Sequence, residues 1–263
     1  MAGGQVRLYI SDSGAMLRAP STCGCHSVKR KFNIPAFFLA AWLLILGLPH
    51  SAAAAEQDAG FWAIFSSTDH FESADDASRW RYWFDAQARY FDPGSVANQY
   101  LVRPGIGYDL NNNVTVWAGY ARFRTQNTAG AYADEDRFWQ QLTWTAAHWD
   151  QSSLSMRVRL EERSVSIGDD LGWVLRYMVK YAQPIGDSGN RTFFASLEPF
   201  FLLRETDWGG SSGLRQNRLS IGVTWKLSDR TSLDTGYMNQ YSWADAGEDR
   251  MYHHGVVNLK MKF

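Results

Sequence analysis

The feature that most constrains this chain is a period of two. From residue 79 to residue 263, apolar and polar residues alternate in one segment after another, and no stretch sustains a 3.6-residue period. Strict alternation marks strands that meet a different environment on each face. The last segment, Met251 to Phe263, sets Val257, Leu259, Met261 and Phe263 on one face and Val256, Asn258, Lys260 and Lys262 on the other. A soluble edge strand of this kind would expose an apolar row and unpaired backbone groups. A strand that closes a transmembrane barrel meets lipid on one side and a polar lumen on the other. The expectation is an all-β, antiparallel, up-and-down transmembrane β-barrel.

Ten strands are predicted, within 79–91, 99–110, 114–125, 137–148, 154–163, 173–182, 193–204, 216–227, 232–243 and 251–263. An earlier candidate, 61–71, would make eleven. Single-chain bacterial barrels have even strand numbers. Ten is therefore the expected ring and twelve the alternative. Residues 56–78 form an N-terminal segment, an extra strand or a plug, and 79–263 form the barrel. With the C-terminus in the periplasm, the external connections fall near 92–98 (which holds the turn Asp92-Pro93-Gly94), 126–136, 167–171, 206–214 and 244–250. These are mostly longer than the opposite set, near 111–113, 149–152, 184–190 and 228–230, as a barrel with short periplasmic turns requires. Gly105–Tyr120 and Gly222–Tyr237 align without gaps as strand, tight turn, strand. Their glycines suit a wall beside bulky lumen-filling neighbours.

Residues 29–55 read as a cleaved secretory signal. Lys29, Arg30 and Lys31 precede the apolar run Ile34–Leu48, and Ala53 and Ala55 offer the small residues of a cleavage site. The run is short of the roughly 20 residues a spanning helix needs. Translation from Met1 or from Met16 fits equally well. Both cysteines, Cys23 and Cys25, precede that site, which leaves the mature chain without disulfides or a thiol nucleophile. Many aromatics (12 Trp and 12 Tyr) without long apolar runs favour strands over membrane helices. The Trp and Tyr near strand ends fit interfacial girdles. A net charge of -1 argues against nucleic acid as a partner.

The ordered segments resemble the domain of unknown function 2490 family, bacterial outer-membrane barrels. The resemblance spans about 57–263. It rests on Asn98-Gln99, on Leu101-Val102-Arg103-Pro104-Gly105-Ile106-Gly107-Tyr108, on Gly119-Tyr120 and on Arg137-Phe138-Trp139-Gln140-Gln141-Leu142. It continues through Arg159-Leu160-Glu161-Glu162-Arg163, Leu175-Arg176-Tyr177, Glu198, Gln216-Asn217-Arg218-Leu219 and Asn239-Gln240-Tyr241. The resemblance implies a barrel in the bacterial outer membrane. It carries no activity and no catalytic residue.

The non-lipid faces hold the chemistry. Thirteen basic residues fall there: Arg81, Arg89, Arg103, Arg157, Arg159, Arg163, Arg176, Lys180, Arg204, Arg218, Lys226, Lys260 and Lys262. Five acids share those faces: Asp85, Asp109, Glu161, Glu198 and Asp234. Yet residues 56–263 as a whole carry 21 basic and 26 acidic side chains, since 1–55 take five of the 26 basic and one of the 27 acidic ones. The excess belongs to the inner face. Eight strands are just filled by their side chains and sixteen leave a channel, so ten or twelve lie between. Two readings follow. The acids bridge neighbouring arginines in a structural network, or the surplus lines a narrow path or a pocket for small anions, centred on Arg157, Arg159, Arg163, Arg176 and Arg218.

The functional expectation is a narrow porin-like channel or an anion-binding barrel. Its partners would be outer-membrane lipid and lipopolysaccharide, the assembly machinery and small anionic solutes. An outer-membrane lipid-modifying enzyme or hydrolase, and an assembly barrel without transport, are the alternatives. An enzyme would join His254 to Ser220 or Ser242, which also point inward. No cofactor or metal is expected. His253 and His254, as strand neighbours, point to opposite faces. Asp134, Glu135, Asp136, Asp169, Asp170, Asp207, Asp245, Glu248 and Asp249 in the external loops are either solvated or share divalent cations with lipid phosphates.

Overall fold

In the computed structural model the described residues are 55–72, 78–91, 98–126 and 130–263. The signal segment with Ala53, and the turn Asp92-Pro93-Gly94, lie outside them. Ala55 immediately precedes the first strand.

Among the described residues, alternation becomes eleven strands: β1 (Glu56–His70), β2 (Trp80–Tyr90), β3 (Gln99–Asn111), β4 (Val114–Gln126), β5 (Tyr132–Trp149), β6 (Ser152–Val165), β7 (Gly172–Pro184), β8 (Arg191–Leu202), β9 (Gly213–Lys226), β10 (Thr231–Ser242) and β11 (Arg250–Met261). They close into one barrel in chain order. The expected ten strands, or twelve, are corrected to eleven, because the 61–71 segment enters the ring within β1. An up-and-down chain with an odd number of strands starts and ends at opposite rims. Its last seam must then be parallel, and β1 pairs β11 in parallel from Glu56↔Arg250 to Ser67↔Met261. The even-number rule assumes that the closing seam is antiparallel like the rest.

Closure pairs the backbone of every strand on both sides and leaves each side chain a choice of two faces. Phe84, Tyr100, Val102, Ile106, Leu142, Tyr177 and Ile221 are exposed on the outside. Arginines, glutamines and carboxylates turn inward. On β11, Val256, Asn258 and Lys260 line the interior. Val257, Leu259 and Met261 alternate with them. The strand ends at Met261, two residues short of the expected limit. Phe263 is exposed, and its backbone N–H donates to Tyr82 Oη at 3.1 Å.

The interior is filled on one side. Leu101, Trp117, Ala121, Phe123 and Trp139 form a buried cluster with Trp83 against the β3–β5 wall. Trp83 meets Trp117 and Trp139 edge-on at 5.6 and 6.0 Å. Glycines make the room. Gly105 and Gly119 are cross-strand partners, and a Cβ on either would lie 2.6 or 2.3 Å from the Trp139 ring. Gly222 and Gly236 are the equivalent pair in the repeated hairpin. A Cβ on Gly222 would meet the Phe194 ring at 2.6 Å. The repeat therefore has a packing cause: a glycine pair thins the wall where an aromatic ring lies against it. We predict that Gly105→Ala destabilises the barrel by about 1–3 kcal/mol through overpacking, and that Trp139→Leu in the same chain recovers part of the loss. Thermal unfolding followed by gel mobility of folded and unfolded forms would test this.

Candidate functional site

The other side of the lumen holds a cavity of about 570 Å³ lined by β1, β2 and β7–β11 among others. That is the size of a small-ligand site. Nine cationic side chains line it, including Arg89, Arg103, Arg137, Arg157, Arg163, Arg176, Lys180, Arg218 and Lys260. Three carboxylates face them: Asp85, Glu198 and Asp234.

Strand register explains which charges meet. Arg157, Arg159, Glu161 and Arg163 share the inner face of β6. Across the β6–β7 pair Arg159 faces Arg176, and across β5–β6 Arg137 faces Arg163. Five cationic groups thus surround one buried acid row. Glu161 accepts from Arg176 Nη1 at 2.5 Å, from Arg163 Nη2 at 2.5 Å and from Arg137 Nη1 at 3.3 Å. Arg159 Nη1 lies 3.6 Å from it. Glu198 accepts from Arg157 Nη2 at 2.5 Å and Arg176 Nε at 2.9 Å. Asp85 accepts from Arg103 Nε at 2.7 Å, Trp83 Nε1 at 2.6 Å and Gln87 Nε2 at 2.8 Å. Asp234 pairs Lys260 at 2.7 Å. The structural network is real.

The network does not consume every charge. Among the described residues, Arg89, Arg218 and Lys180 have no carboxylate within 4 Å. Arg89 donates to Gln87 and Gln99, Arg218 donates to Gln240, and Lys180 lies over the Phe194 ring at 4.8 Å. Arg159 is shut away from the cavity. It is 1% exposed, donates to Gln141 Oε1 at 2.7 Å and lies over Trp139 at 4.4 Å.

Arg204 does not belong to the inner face. β8 shifts register at Phe200/Phe201 and ends at Leu202, so Arg204 is exposed in the loop beyond it. Two residues were misplaced or missed. Glu135, assigned to a loop, and Arg137, left off the inner set, both point inward because β5 starts at Tyr132. Their side chains pair at 2.7 Å. The alternation Glu135, Arg137, Trp139, Gln141 already carried that signal. Lys226 turns to Asp229 in an exposed turn rather than into the lumen.

His254 is fully buried, 5.3 Å from Trp62 and stacked on Tyr252 at 5.6 Å. Gly60 makes its place, since a Cβ there would lie 2.4 Å from Nδ1. Met238 lies between His254 and Ser220 in register. Two strand spacings, about 10 Å, separate that serine from the imidazole, too far for a nucleophile–base pair. No group of three or more metal-ligating side chains occurs among the described residues.

Carboxylate-rich loops at the opposite rim from the tight turns tie to one another. Asp207 accepts from the Asp169 N–H at 2.9 Å, and Trp208 Nε1 donates to the Asp170 carbonyl at 2.7 Å. Asp245 accepts from the Ser211 backbone at 2.9 Å, from the Ser211 hydroxyl, and from Arg215 Nη1 at 2.5 Å and Nη2 at 2.9 Å. The Asp207 and Asp245 carboxylates are thus spent on tying loops together.

Two predictions follow from this geometry. Glu161→Gln leaves its guanidinium neighbours without their shared anion and should cost about 3–5 kcal/mol; a lowered unfolding midpoint in detergent checks it. The second concerns the loops. The hydroxyl and N–H of Ser211, with Arg215, hold the Asp245 carboxyl below its ordinary value of 3.8. A depressed carboxylate stabilises above its unfolded pKa, and that stability is lost as the pH falls below it. The amides of the 203–212 and 243–249 loops should therefore be better protected at pH 7 than at pH 3, once each exchange rate is divided by its intrinsic rate at that pH. Asp245→Asn should remove that difference.

Fold and site together define a closed β-barrel with an apolar exterior and an arginine-rich interior. The chain belongs to the family described as "Protein of unknown function (DUF2490)", whose pattern matches residues 59–252. A protein of Methylorubrum extorquens is 28% identical over 226 residues, 86% of this chain and 96% of the relative. Among solved structures, LpxR from Salmonella typhimurium is similar with a TM-score of 0.42 and 11% identity, over 73% of this chain and 85% of that one. The KdgM porin in complex with disordered oligogalacturonate gives 0.41 and 10%, over 70% and 98%.

Proposed function

We propose that this protein is a bacterial outer-membrane barrel whose lumen binds or passes small anions. The observation that carries the reading is the cavity lining, nine cations against three carboxylates. A low-dielectric wall strengthens the field of the unmatched charges, and fixed charge of one sign in a confined path selects the opposite ion. The apolar outer face supports the location, because in water it would be an exposed hydrophobic surface far larger than soluble proteins carry. Lys180, Arg89 and Arg218 supply the free charge, while Glu161 and Glu198 fix the remainder of the wall.

Reversal potential across a planar bilayer under a salt gradient tests the reading. The protein should prefer chloride to potassium, and Lys180→Gln combined with Arg218→Gln should weaken that preference. A preference for potassium would overturn it. Recovery of the folded protein from the soluble periplasm rather than the outer-membrane fraction would overturn the location.

A further inference from the structure

The free arginines belong to a ring. Arg137 lies over Phe123 at 3.6 Å, and Arg89 lies over the same ring at 5.6 Å. Arg89 also lies over Trp62 at 3.7 Å, and Arg218 at 4.9 Å. Arg218 lies over Phe200 at 4.6 Å, and Arg176 at 4.2 Å. Glu161 then joins Arg176 to Arg137. Four guanidinium groups and three aromatic rings alternate around the lumen, and one carboxylate closes the circuit. All members except Glu161 line the cavity.

Register builds part of the circuit directly. Arg89 is the cross-strand partner of Trp62, and Arg176 that of Phe200. At 3.6 and 3.7 Å from a ring centre, a guanidinium lies flat on the ring. Its N–H bonds then point sideways rather than into the π face. Those of Arg137 go to Glu135 and Glu161, and those of Arg89 to neutral amides.

Neutral amides orient the two arginines in the half of the circuit away from Glu161. Arg89 Nε and Nη2 donate to Gln87 Oε1 at 3.0 and 2.7 Å, and Nη1 to Gln99 Oε1 at 2.5 Å. Arg218 Nε donates to Gln240 Oε1 at 3.1 Å. With its amide oxygen turned toward Arg218, Gln216 accepts from Nε and Nη2 at 2.6 and 3.0 Å. A glutamate at any of these places would make the same bonds and cancel the charge. Glutamine fixes the fork and leaves the charge available.

We propose that Arg89 and Arg218, both packed against Trp62, form a binding site for a phosphate monoester. The site rests on the anion-binding reading of the lumen and names its ligand class. Two uncompensated guanidinium groups match a group that carries about -1.5 to -2 charge and three acceptor oxygens at neutral pH. A monovalent halide would neutralise only one of the two.

Isothermal titration of the folded, detergent-extracted full chain tests the site with three probes: inorganic phosphate, glycerol 3-phosphate and lysophosphatidate. Saturable binding of the first two at millimolar concentration or below supports the site with a soluble solute as its source. Saturation by lysophosphatidate alone supports it with a lipid head group as the source. Gln99→Glu and Gln240→Glu preserve shape and hydrogen bonding, and each should weaken binding at least about tenfold by neutralising its arginine. Arg230→Gln, in an exposed turn at the far rim, should bind as the parent does. Gel mobility before and after heating confirms that each variant is folded. No saturable binding by any probe, or unchanged affinity in both glutamate variants, overturns the site. Chloride preference in a parent that binds none of the probes would remove this site and leave the broader lumen reading standing.

Discussion

One buried carboxylate organises the interior. Glu161 is 1% exposed and sits within ion-pair distance of Arg137, Arg159, Arg163 and Arg176, contributed by three strands. Removing an acid from water costs several kcal/mol, and a single ion pair often only breaks even. Several guanidinium groups around one carboxylate change the balance, because each of its oxygens accepts a guanidinium bond and each arginine has further partners. Arg176 reaches on to Glu198, and Arg163 to Glu135. The acid thereby ties β5, β6 and β7 together from within, where the backbone ladders tie them along the wall.

The apolar exterior and the charged interior are one constraint seen from two sides. A closed ring satisfies the backbone internally, so side chains alone decide the solvent preference of each face. Polar residues cannot face outward without loss if the wall meets lipid, and the interior must take them. Eleven strands enclose more room than side chains alone would fill by the scaling of small barrels. The chain fills part of it with the Trp83, Trp117 and Trp139 cluster, seated against glycines in β3 and β4. The charged cavity is what remains, displaced to the other side.

Charge and geometry are separated in this lumen in an economical way. Where arginines meet Glu161 and Glu198, orientation and neutralisation come together. Where they meet Gln87, Gln99 and Gln240, orientation comes without neutralisation. Aromatic faces do the same, since a ring beside a guanidinium stabilises it by about 0.5–2 kcal/mol without removing its net charge. The difference between a structural wall and a binding surface is the difference between a carboxylate and an amide at equivalent hydrogen-bonding positions.

Much of this protein is legible in its sequence because a strand has only two faces. Period two assigned Arg157, Arg159, Glu161 and Arg163 to one face of β6, and the count of acids against bases showed that the inner face is cationic. Glycines at matched places in two hairpins pointed to a thinned wall. The sequence by itself thus determined the fold class, the sorting of faces and the sign of the lumen. Tertiary structure decided the rest. Strand number turned on whether β1 closes in parallel on β11, a pairing between residues some 190 apart that local alternation does not encode. The reach of each strand depended on bulges and neighbours, which drew Glu135 and Arg137 inward and left Arg204 outside. Which arginines are neutralised depended on register across the barrel: a slip of two residues keeps every side chain on its face and changes every partner. Hence the grouping of Arg89, Trp62 and Arg218 is invisible in the sequence, although alternation alone placed Arg89 and Arg218 on the inner side of the wall.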